Sequence, residues 1–486
     1  MRKIITTGLC LFLLLSGSLA QKGKRKNLPD NVSIDYLNNS FAVYDKLQKL
    51  VWSNPELGFL EFKSSVFLQE HLKEQGFTLE TGVAGIPTAF VATYGSGSPV
   101  IGILAEFDAL PGLSQDTVPY RKPVVEGGNG HACGHNAFGV GSVAGAVAIS
   151  RWLEAGKHSG TIKVFGTPAE EGGGGKVYMV REGLFRGVDV VLDWHPSTGN
   201  GVSVDSGTAI EMIDYIFTGV AAHAAGSPEK GRSALDGVEA LNYMVNLLRE
   251  HVPASSRIHY VIPDGGGAPN VVPDYARVSY YIRNPDRRVL KDLVEWVGQA
   301  AEGAAKGTQT TLKTEIIAGF YERLYNKKLA ELVHRQLEIV GGVHYDARER
   351  AFAEAIVKGL GNSDTTLKQV EKIAPLAQER PSTGGGSSDV GDVSWNVPTV
   401  SFGTAVFVPG SAGHSWQNAA SGGTTIGTKG LINAAKVFSL TAIALYSDPR
   451  LISDARTEFE ERRGKNFHYI PLLGDRPPAL DYRLKK

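Results

Sequence analysis

Short apolar runs that end in polar residues recur along the chain. Four of them are typical of buried strands, at residues 100–105, 161–165, 188–192 and 397–402. Each leads into side chains able to bind metal or carry protons: Glu106 and Asp108, Glu170 and Glu171, His195, and His414. Helical stretches between some of these runs predict an α/β layer with a mostly parallel sheet. Because ligands bind beyond the carboxyl ends of such strands, we expect these polar residues to converge there.

The stretch from about residue 211 to 314 has a different pattern. Strand-like segments alternate with two amphipathic helices, one from Ser233 and one from near Asp286, in the order βαββαβ. That order is typical of a ferredoxin-like unit. We therefore predict an α+β domain of residues 211–322, inserted between the two parts of a catalytic domain, residues 21–210 and 323–486.

The first twenty residues have the order of a secretory signal peptide. Arg2 and Lys3 precede an apolar run over residues 4–15, and small residues end at Ala20. The apolar run is too short to span a membrane. This order predicts export to the periplasm or the outside after cleavage before Gln21.

Composition limits the partners and gives one cysteine a special place. A chain of 486 residues is too long for a single hydrophobic core of ordinary size. Its content of 42% hydrophobic and 21% charged residues is typical of a globular enzyme. Basic and acidic residues number 50 each, so the charge favours neither a nucleic acid nor a membrane as partner. Without the leader, Cys133 is the single cysteine. Since it has no disulfide partner in the chain, it is a buried hydrophobe, a metal ligand or a nucleophile.

Cys133 and His135 form the sharpest local motif. They lie two residues apart around Gly134, so both side chains can reach one centre. Thiolate and imidazole are ligands that zinc and similar metals favour. The alternative is a buried thiol beside a capping histidine. A second cysteine at C-x-x-C spacing is absent, which argues against thioredoxin-like chemistry.

The adjacent Glu170 and Glu171 are candidates for a catalytic role because they follow a predicted strand. One carboxylate can bind a metal while its neighbour activates the bound water. Two glutamates in a solvated loop would have no such role, and lone histidines such as His195 and His414 are more often structural. Taken together with the cysteine motif, however, these residues suit a two-metal site. Asp108 is placed to orient a ligand histidine.

Two other classes of protein compete with a metallohydrolase. The first is a serine or cysteine hydrolase. The G-x-S-x-G motif of a serine hydrolase is absent, and Cys133 as nucleophile with His135 as base leaves both glutamates, His195 and His414 unexplained. A non-catalytic metal- or peptide-binding protein would not need a base, and Glu170 is present.

Seven motifs together carry a family resemblance. In chain order they are HACGHN, GTPAEEGGGGK, DWHP, AAHAAGSPEKGRSALDG, APNVVPD, SSDVGDVSW and GTAVFVPGSAGHSWQ. With them the chain resembles the metal-dependent aminoacylase and carboxypeptidase family, and within it is similar to the p-aminobenzoyl-glutamate hydrolase branch. The match covers nearly the whole mature chain.

This resemblance implies the chemistry of the site. It implies two divalent metal ions, Zn or Mn, and a base at Glu170. The implied ligands are Cys133, His135, Glu171, His195 and His414. His223 matches a lid histidine that polarises the scissile carbonyl, often in the partner subunit's site. Asn270 matches a position near the substrate carboxylate.

The resemblance also implies the assembly and the substrate. The inserted domain would serve as a lid or dimerisation domain, in a homodimer or a heterodimer with a paralogous subunit. The substrate would be a small N-acyl amino acid or dipeptide, with p-aminobenzoyl-glutamate as first candidate and a dipeptidase or N-acyl-amino-acid hydrolase as alternatives.

Several points stay open at this level. Asn136 stands where the wider family has aspartate, and Glu106-Phe107-Asp108 keeps only part of the family's acidic pattern. The native metal and the bridging ligand, Cys133 or His135, are therefore both undecided. Arg283 joins Asn270 as a candidate for binding the product's carboxylate, but an acidic side chain would need a further positive partner, which the sequence does not identify. Residues 362–388 are predicted to be a long loop.

Export can be tested directly. If the leader is cleaved as predicted, protein from an exporting host should begin at Gln21, because the small residues Ser18 and Ala20 suit the processing enzyme. N-terminal sequencing of the exported protein measures this. An intact Met1 in the soluble cytosolic fraction would contradict the prediction.

Overall fold

The computed structural model of the chain describes residues 31–361, 366–379 and 385–484. The predicted signal peptide and the predicted mature terminus at Gln21 lie outside these residues. So do parts of the predicted loop at 362–388, namely residues 362–365 and 380–384.

The described elements fall into three consecutive groups. The first contains α1 (Asn31–Asn39), α2 (Phe41–Trp52), α3 (Phe62–Glu74), β1 (Thr78–Thr81), β2 (Phe90–Ser96), β3 (Val100–Ala105), α4 (His135–Gly156), β4 (Gly160–Gly166), α5 (Gly175–Arg181), β5 (Val190–Ser197) and β6 (Gly201–Val202). The second contains β7 (Ala209–Thr218), α6 (Ala234–Leu248), β8 (Arg257–Asp264), β9 (Tyr275–Asn284), α7 (Arg287–Thr308) and β10 (Thr311–Phe320). The third contains α8 (Lys327–Val340), α9 (Ala347–Gly359), α10 (Val390–Ser394), β11 (Thr399–Ala405), α11 (Trp416–Gly422), α12 (Thr425–Ser447) and α13 (Pro449–Arg463).

The first and third groups share a seven-stranded sheet in the order β1-β2-β4-β3-β5-β11-β6. Its four central strands, β4, β3, β5 and β11, are parallel, whereas β1, β2 and β6 pair antiparallel toward the edges. The central strands are the four apolar runs predicted from the sequence. They are mostly buried because helices cover the sheet, and buried parallel strands favour such apolar runs. The carboxyl ends of these strands consequently meet at one edge.

Glycines let helix α4 pack close to the sheet and to its neighbours. A Cβ on Gly141 would lie 2.7 Å from the Trp194 ring, and one on Gly139 would lie 2.7 Å from the backbone oxygen of Glu106. Both distances are too short for a methyl group. The close approach sets the first residue of α4, His135, against the end of β3.

Helix α12 packs along α4 on the same face of the large sheet. Among the described residues it is the one helix long and apolar enough to cross a membrane, and most of its apolar stretch is buried in the protein. Its apolarity is therefore that of a core helix.

The second group forms a separate four-stranded antiparallel sheet in the order β10-β7-β9-β8, covered by α6 and α7. The element order is the predicted βαββαβ. Both helices begin where the sequence predicts. The Ser233 hydroxyl accepts the N–H of Asp236 at 3.1 Å, and the Asp286 carboxylate accepts the N–H of Arg288 at 2.8 Å. These side chains satisfy amide groups that the first turn of a helix leaves unpaired.

The described parts of the predicted loop at 362–388 contain short elements of secondary structure. A short 3-10 helix spans Leu367–Glu371, and Ile373 forms a β-bridge with Asn200. Residues 385–388 lie beside the carboxyl edge of the large sheet, where they line a large cavity.

Candidate metal centre and active site

A cavity of ≈ 770 Å³ lies at the carboxyl ends of the central strands. All four predicted polar clusters contribute to its walls: Glu106 after β3, Glu170 and Glu171 after β4, His195 in β5, and His414 after β11. Strand β5 extends beyond its predicted end, so His195 lies within the strand rather than after it. Cys133 reaches the same cavity from the loop before α4.

The potential metal donors form three groups, and two of them share Cys133. Those two contain Cys133, His135 and His195, and Cys133, Glu171 and His414; the third contains Glu106, His135 and Glu170. Within each group the donor atoms lie within 4.8 Å of one another. Cys133 Sγ is 3.4 Å from His195 Nε2, and His414 Nε2 is 3.3 Å from Glu171 Oε1. Two adjacent centres with a common thiolate match this arrangement.

The hydrogen bonding of the donor atoms also fits a cation. Among the described residues, the buried atoms His135 Nε2 and Glu171 Oε1 have near neighbours but none aligned as a hydrogen-bond partner. Leaving buried polar atoms unsatisfied costs free energy, so such atoms call for an explanation. Metal coordination satisfies them, and thiolate, imidazole and carboxylate are suitable donors.

Asp108 connects the two groups. Its Oδ1 lies 2.9 Å from His135 Nδ1, and its Oδ2 accepts the N–H of Glu171 at 2.9 Å. The first contact turns His135 Nε2 toward the cavity side, which is the usual effect of a carboxylate behind a ligand histidine. The second fixes the backbone of Glu171.

The turn that carries Glu170 and Glu171 has an unusual backbone. Ala169 has a positive φ of 59°, which costs free energy for a residue other than glycine. The buried Glu61 carboxylate accepts the Ala169 N–H at 2.8 Å, and the Ala169 carbonyl accepts the N–H groups of Gly173 and Gly174. These bonds hold the turn in place and direct both glutamates to the cavity. His414 has a similar positive φ of 54°.

Buried carboxylates dominate the electrostatics of the site. Burial, together with the charges of Glu106 and Glu171, raises the pKa of Glu170 well above its usual value. Burial lowers the pKa of His135, but Cys133 and the carboxylates of Asp108 and Glu106 outweigh it and raise the pKa. Burial and the neighbouring His135 lower the pKa of His195 to about 4. His195 is therefore neutral at neutral pH, which is the form that binds metals.

Lys176 is a completely buried cation behind the cavity. Its Nζ lies 2.7 Å from Glu106 Oε1 and 2.7 Å from Asp389 Oδ1, and its backbone N–H donates to Asp389 at 2.9 Å. Burial lowers the pKa of Lys176, but the two carboxylates outweigh this effect and raise it. Even with this partner, burial raises the pKa of Glu106 to about 7.

Three predicted residues lie outside the group around the cavity. His223 and Asn270 are exposed on adjacent loop segments beside the small sheet, joined by a bridge between His223 and Val271. Arg283, in β9, is half-buried and donates to the hydroxyl of Ser387 at 2.8 Å. Ser387 lines the cavity, so Arg283 supports its wall from behind.

Several residues of the site were not identified from the sequence. They are Lys176, Asp193 and Asp389, the last of which directly follows the predicted loop. Asp193 could have been found, because it lies two residues before His195 and therefore on the same side of β5. Lys176 and Asp389 carry no local signal, since each acquires its role only by pairing.

Comparison with known proteins gives the family. Residues 102–440 match the peptidase family M20/M25/M40. The chain is 36% identical over 461 residues to one of the subunits of the p-aminobenzoyl-glutamate hydrolase of Escherichia coli, covering 90% of this chain and 96% of the relative. The chain belongs to the M20/M25/M40 peptidase family.

Two further comparisons agree with this membership. The chain is 28% identical over 429 residues to the Xaa-Arg dipeptidase of Mus musculus, covering 85% of this chain and 88% of the relative. Its fold is similar to that of a dinuclear metal-binding M20 peptidase from Bacillus subtilis, with a TM-score of 0.54 and 17% identity over 86% of this chain and 99% of the other. As a member of this family, the chain is a metal-dependent hydrolase of amide bonds.

The buried pairing of Lys176 generates a stability prediction. Lys176→Met should lower the melting temperature, because two buried carboxylates lose their cation, a change that costs about 3–5 kcal/mol. Thermal unfolding followed by circular dichroism measures the change.

Lys122→Met is the matched control. Lys122 lies 2.8 Å from Asp116 in an exposed pair, so its loss should leave the melting temperature nearly unchanged. Equal melting temperatures for both variants and the unaltered protein would show that Lys176 does not carry this role.

Proposed function

We propose that this chain hydrolyses N-acyl amino acids, with p-aminobenzoyl-glutamate as first substrate, using two divalent metal ions. The observation that carries the proposal is the pair of donor groups sharing Cys133, which stand beside Glu170 in one cavity. The name of the Escherichia coli relative, which is part of a p-aminobenzoyl-glutamate hydrolase, supports the choice of substrate.

Five side chains would hold the metals: Cys133, His135, Glu171, His195 and His414. Cys133 and His135 each belong to two of the three donor groups. Cys133 is shared by the two groups made only of the five proposed ligands, which favours Cys133 as the bridging ligand. When bound, two such ions polarise a carbonyl and lower the pKa of a bound water. Thiolate and imidazole suit zinc, while manganese also accepts carboxylate and imidazole, so both metals remain in the proposal.

Glu170 would move the proton. It stands next to Glu171 in the chain and lines the cavity. Burial raises the pKa of its carboxyl, which makes the carboxylate a stronger base. A carboxylate at this position takes a proton from the attacking water on one of its oxygens. It then gives that proton to the nitrogen of the departing amine, since amide cleavage needs a protonated leaving group.

His223 would stabilise the oxygen of the scissile carbonyl. Its Nδ1 accepts the backbone N–H groups of Ala225 and Gly226 at 3.2 and 3.0 Å. In the neutral ring the hydrogen must therefore lie on Nε2, which leaves a donor directed away from its own loop. Since His223 is exposed and does not line the cavity of its own chain, we assign it to the site of a second chain.

The substrate's α-carboxylate would be bound by the same exposed region. The Asn270 backbone carbonyl accepts the N–H of Ala224 at 3.0 Å, so the Asn270 side chain is held beside His223. Arg283 is a second candidate through its contact with the cavity wall at Ser387. The small sheet would accordingly act as the lid and dimerisation domain, in residues 211–322.

Assembly and location complete the proposal. We infer a homodimer or a heterodimer with a paralogous subunit. The Escherichia coli relative is named as one of the subunits of its enzyme, which supports a multi-chain assembly. We also propose that the protein is exported after cleavage of residues 1–20, because the leader has the charged, apolar and small-residue order of a signal peptide.

A dipeptidase is the second candidate function. The mouse relative is an Xaa-Arg dipeptidase, and the cavity walls include the carboxylates of Asp193 and Asp205, which suit a basic side chain. The two functions differ in the charge of the released amino acid, so they are separable by substrate comparison.

One experiment tests substrate and base together. Metal-loaded protein should release p-aminobenzoate from p-aminobenzoyl-glutamate with a higher kcat/KM than it shows on N-acetyl amino acids or Xaa-Arg dipeptides. Glu170→Gln should lose about 10²–10⁴ in rate and keep its metal, because the amide cannot accept the proton. Glu171→Gln is the comparison variant and should lower the metal content. Liquid chromatography of products and elemental analysis are the measurements.

The outcomes separate the parts of this proposal. Turnover of dipeptides alone would reject p-aminobenzoyl-glutamate as substrate. Normal turnover by Glu170→Gln would reject its role as base.

The assignment of His223 to a second chain's site has its own test. Glu170→Gln and His223→Ala should each be nearly inactive alone. Mixed in equal amounts, dissociated and reassociated, they should regain about a quarter of wild-type activity. About half of the dimers are then mixed, and one of the two sites in each mixed dimer of a two-fold assembly is intact. Activity of the mixture at the level of the separate variants would place His223 in its own chain's site.

A further inference from the structure

Arg323 stands out among the residues of the cavity wall. It lies just after β10, is half-buried, and is the one lysine or arginine among the described residues that line the cavity. The rest of the charged lining is acidic or belongs to the histidine donors. A single arginine in such a wall requires an explanation.

The backbone around Arg323 is held at three consecutive residues. The N–H of Arg323 donates to the Ser206 carbonyl at 2.7 Å. The carbonyl before it, on Glu322, accepts the indole N–H of Trp395 at 2.8 Å, and the N–H after it, on Leu324, donates to the Ser394 hydroxyl at 2.8 Å. These contacts hold the backbone that presents this side chain to the cavity, and such support lowers the entropy cost of binding a ligand.

The guanidinium of Arg323 has no hydrogen bond or ion pair with a described residue. Other cations near the site differ. Lys176 is paired with two carboxylates, and Arg283 donates to Ser387 and His259. Asp205, an acid of the same wall, does not pair with Arg323, and its Oδ1 accepts the N–H of Gly207 at 2.8 Å. The positive charge of Arg323 acts on the carboxyl of Asp193 without a hydrogen bond or ion pair between them, so the guanidinium N–H groups stay available to a carboxylate.

The position of Arg323 indicates which carboxylate it can reach. Arg323 also borders a small hollow next to the cavity, together with Ser203, Asp205 and Ser401, and none of the five metal donors lines that hollow. The α-carboxylate of a substrate is one bond from Cα and close to the scissile nitrogen. The side-chain carboxylate of glutamate is three bonds from Cα, so it needs a binder set back from the metal donors.

We propose that Arg323 binds the side-chain carboxylate of the released amino acid and makes this enzyme selective for acyl-glutamates over their neutral counterparts. The inference rests on the proposed hydrolysis of N-acyl amino acids. Guanidinium and carboxylate are planar and form paired hydrogen bonds, which an uncharged carboxamide cannot reproduce. Arg323 is thus the positive partner for an acidic substrate that the sequence did not reveal.

The test compares two substrates that differ only in charge. Wild-type protein should hydrolyse p-aminobenzoyl-glutamate with a kcat/KM at least about tenfold above that for p-aminobenzoyl-glutamine, since a lost charged hydrogen bond typically costs about 10- to 100-fold. Arg323→Gln should remove this preference by lowering only the value for glutamate. Arg323→Lys should keep part of it. The control is Arg335→Gln on the exposed side of α8, which should leave both values unchanged.

Two outcomes would overturn the inference: equal kcat/KM for both substrates in the wild type, or equal losses on both in Arg323→Gln. If that variant does not fold, product inhibition of the wild type is measured instead. Glutamate should then inhibit at a concentration at least about tenfold lower than glutamine does. Equal inhibition would likewise reject the role of Arg323. Failure of the proposed function gives a different result, namely no hydrolysis of either substrate by metal-loaded wild type.

Discussion

The ammonium of Lys176 contacts two buried carboxylates, Glu106 and Asp389, at 2.7 Å each. These three residues come from the end of β3, the first turn of α5 and the start of α10. Burying unpaired carboxylates would cost several kcal/mol each, so these two carboxylates can be buried in the cavity wall only because Lys176 lies between them. Because the turn with Glu170 and Glu171 leads directly into α5, the position of the proposed base and of one metal donor follows from this pairing.

The remaining negative charge faces the cavity. Glu170, Glu171 and Asp193 line it together with Cys133, and the raised pKa values of Glu170 and Glu106 reflect repulsion between carboxylates as well as burial. An excess of this kind stabilises divalent cations, and bound cations stabilise the fold in return. Metal affinity and folding are consequently coupled, since the same carboxylates contribute to both.

The two sheets divide the work of the enzyme as we propose it. The large sheet brings the donors and the base together at one edge, where parallel strands end side by side. The small sheet carries His223 and Asn270 on an exposed surface, outside the cavity of the same chain. A site completed by a second chain would couple catalysis to assembly. Arg323 follows the last strand of the small sheet and lines the cavity, held by segments that precede β7 and follow the predicted loop.

The sequence by itself determined the central strands, the βαββαβ order, and the clusters at the strand ends, because apolar periodicity and turn residues are local signals. It also predicted the candidate donors, from the joint pattern of cysteine, histidine and glutamate near strand ends and from the family resemblance, and their binding of metal stays a prediction. The tertiary structure alone decided how charges pair. Lys176 meets Asp389 across 213 residues, Cys133 joins two of the donor groups, and Arg323 is left without a partner among the described residues of an acidic wall. Such relations depend on distances between segments far apart in sequence, which no local pattern encodes.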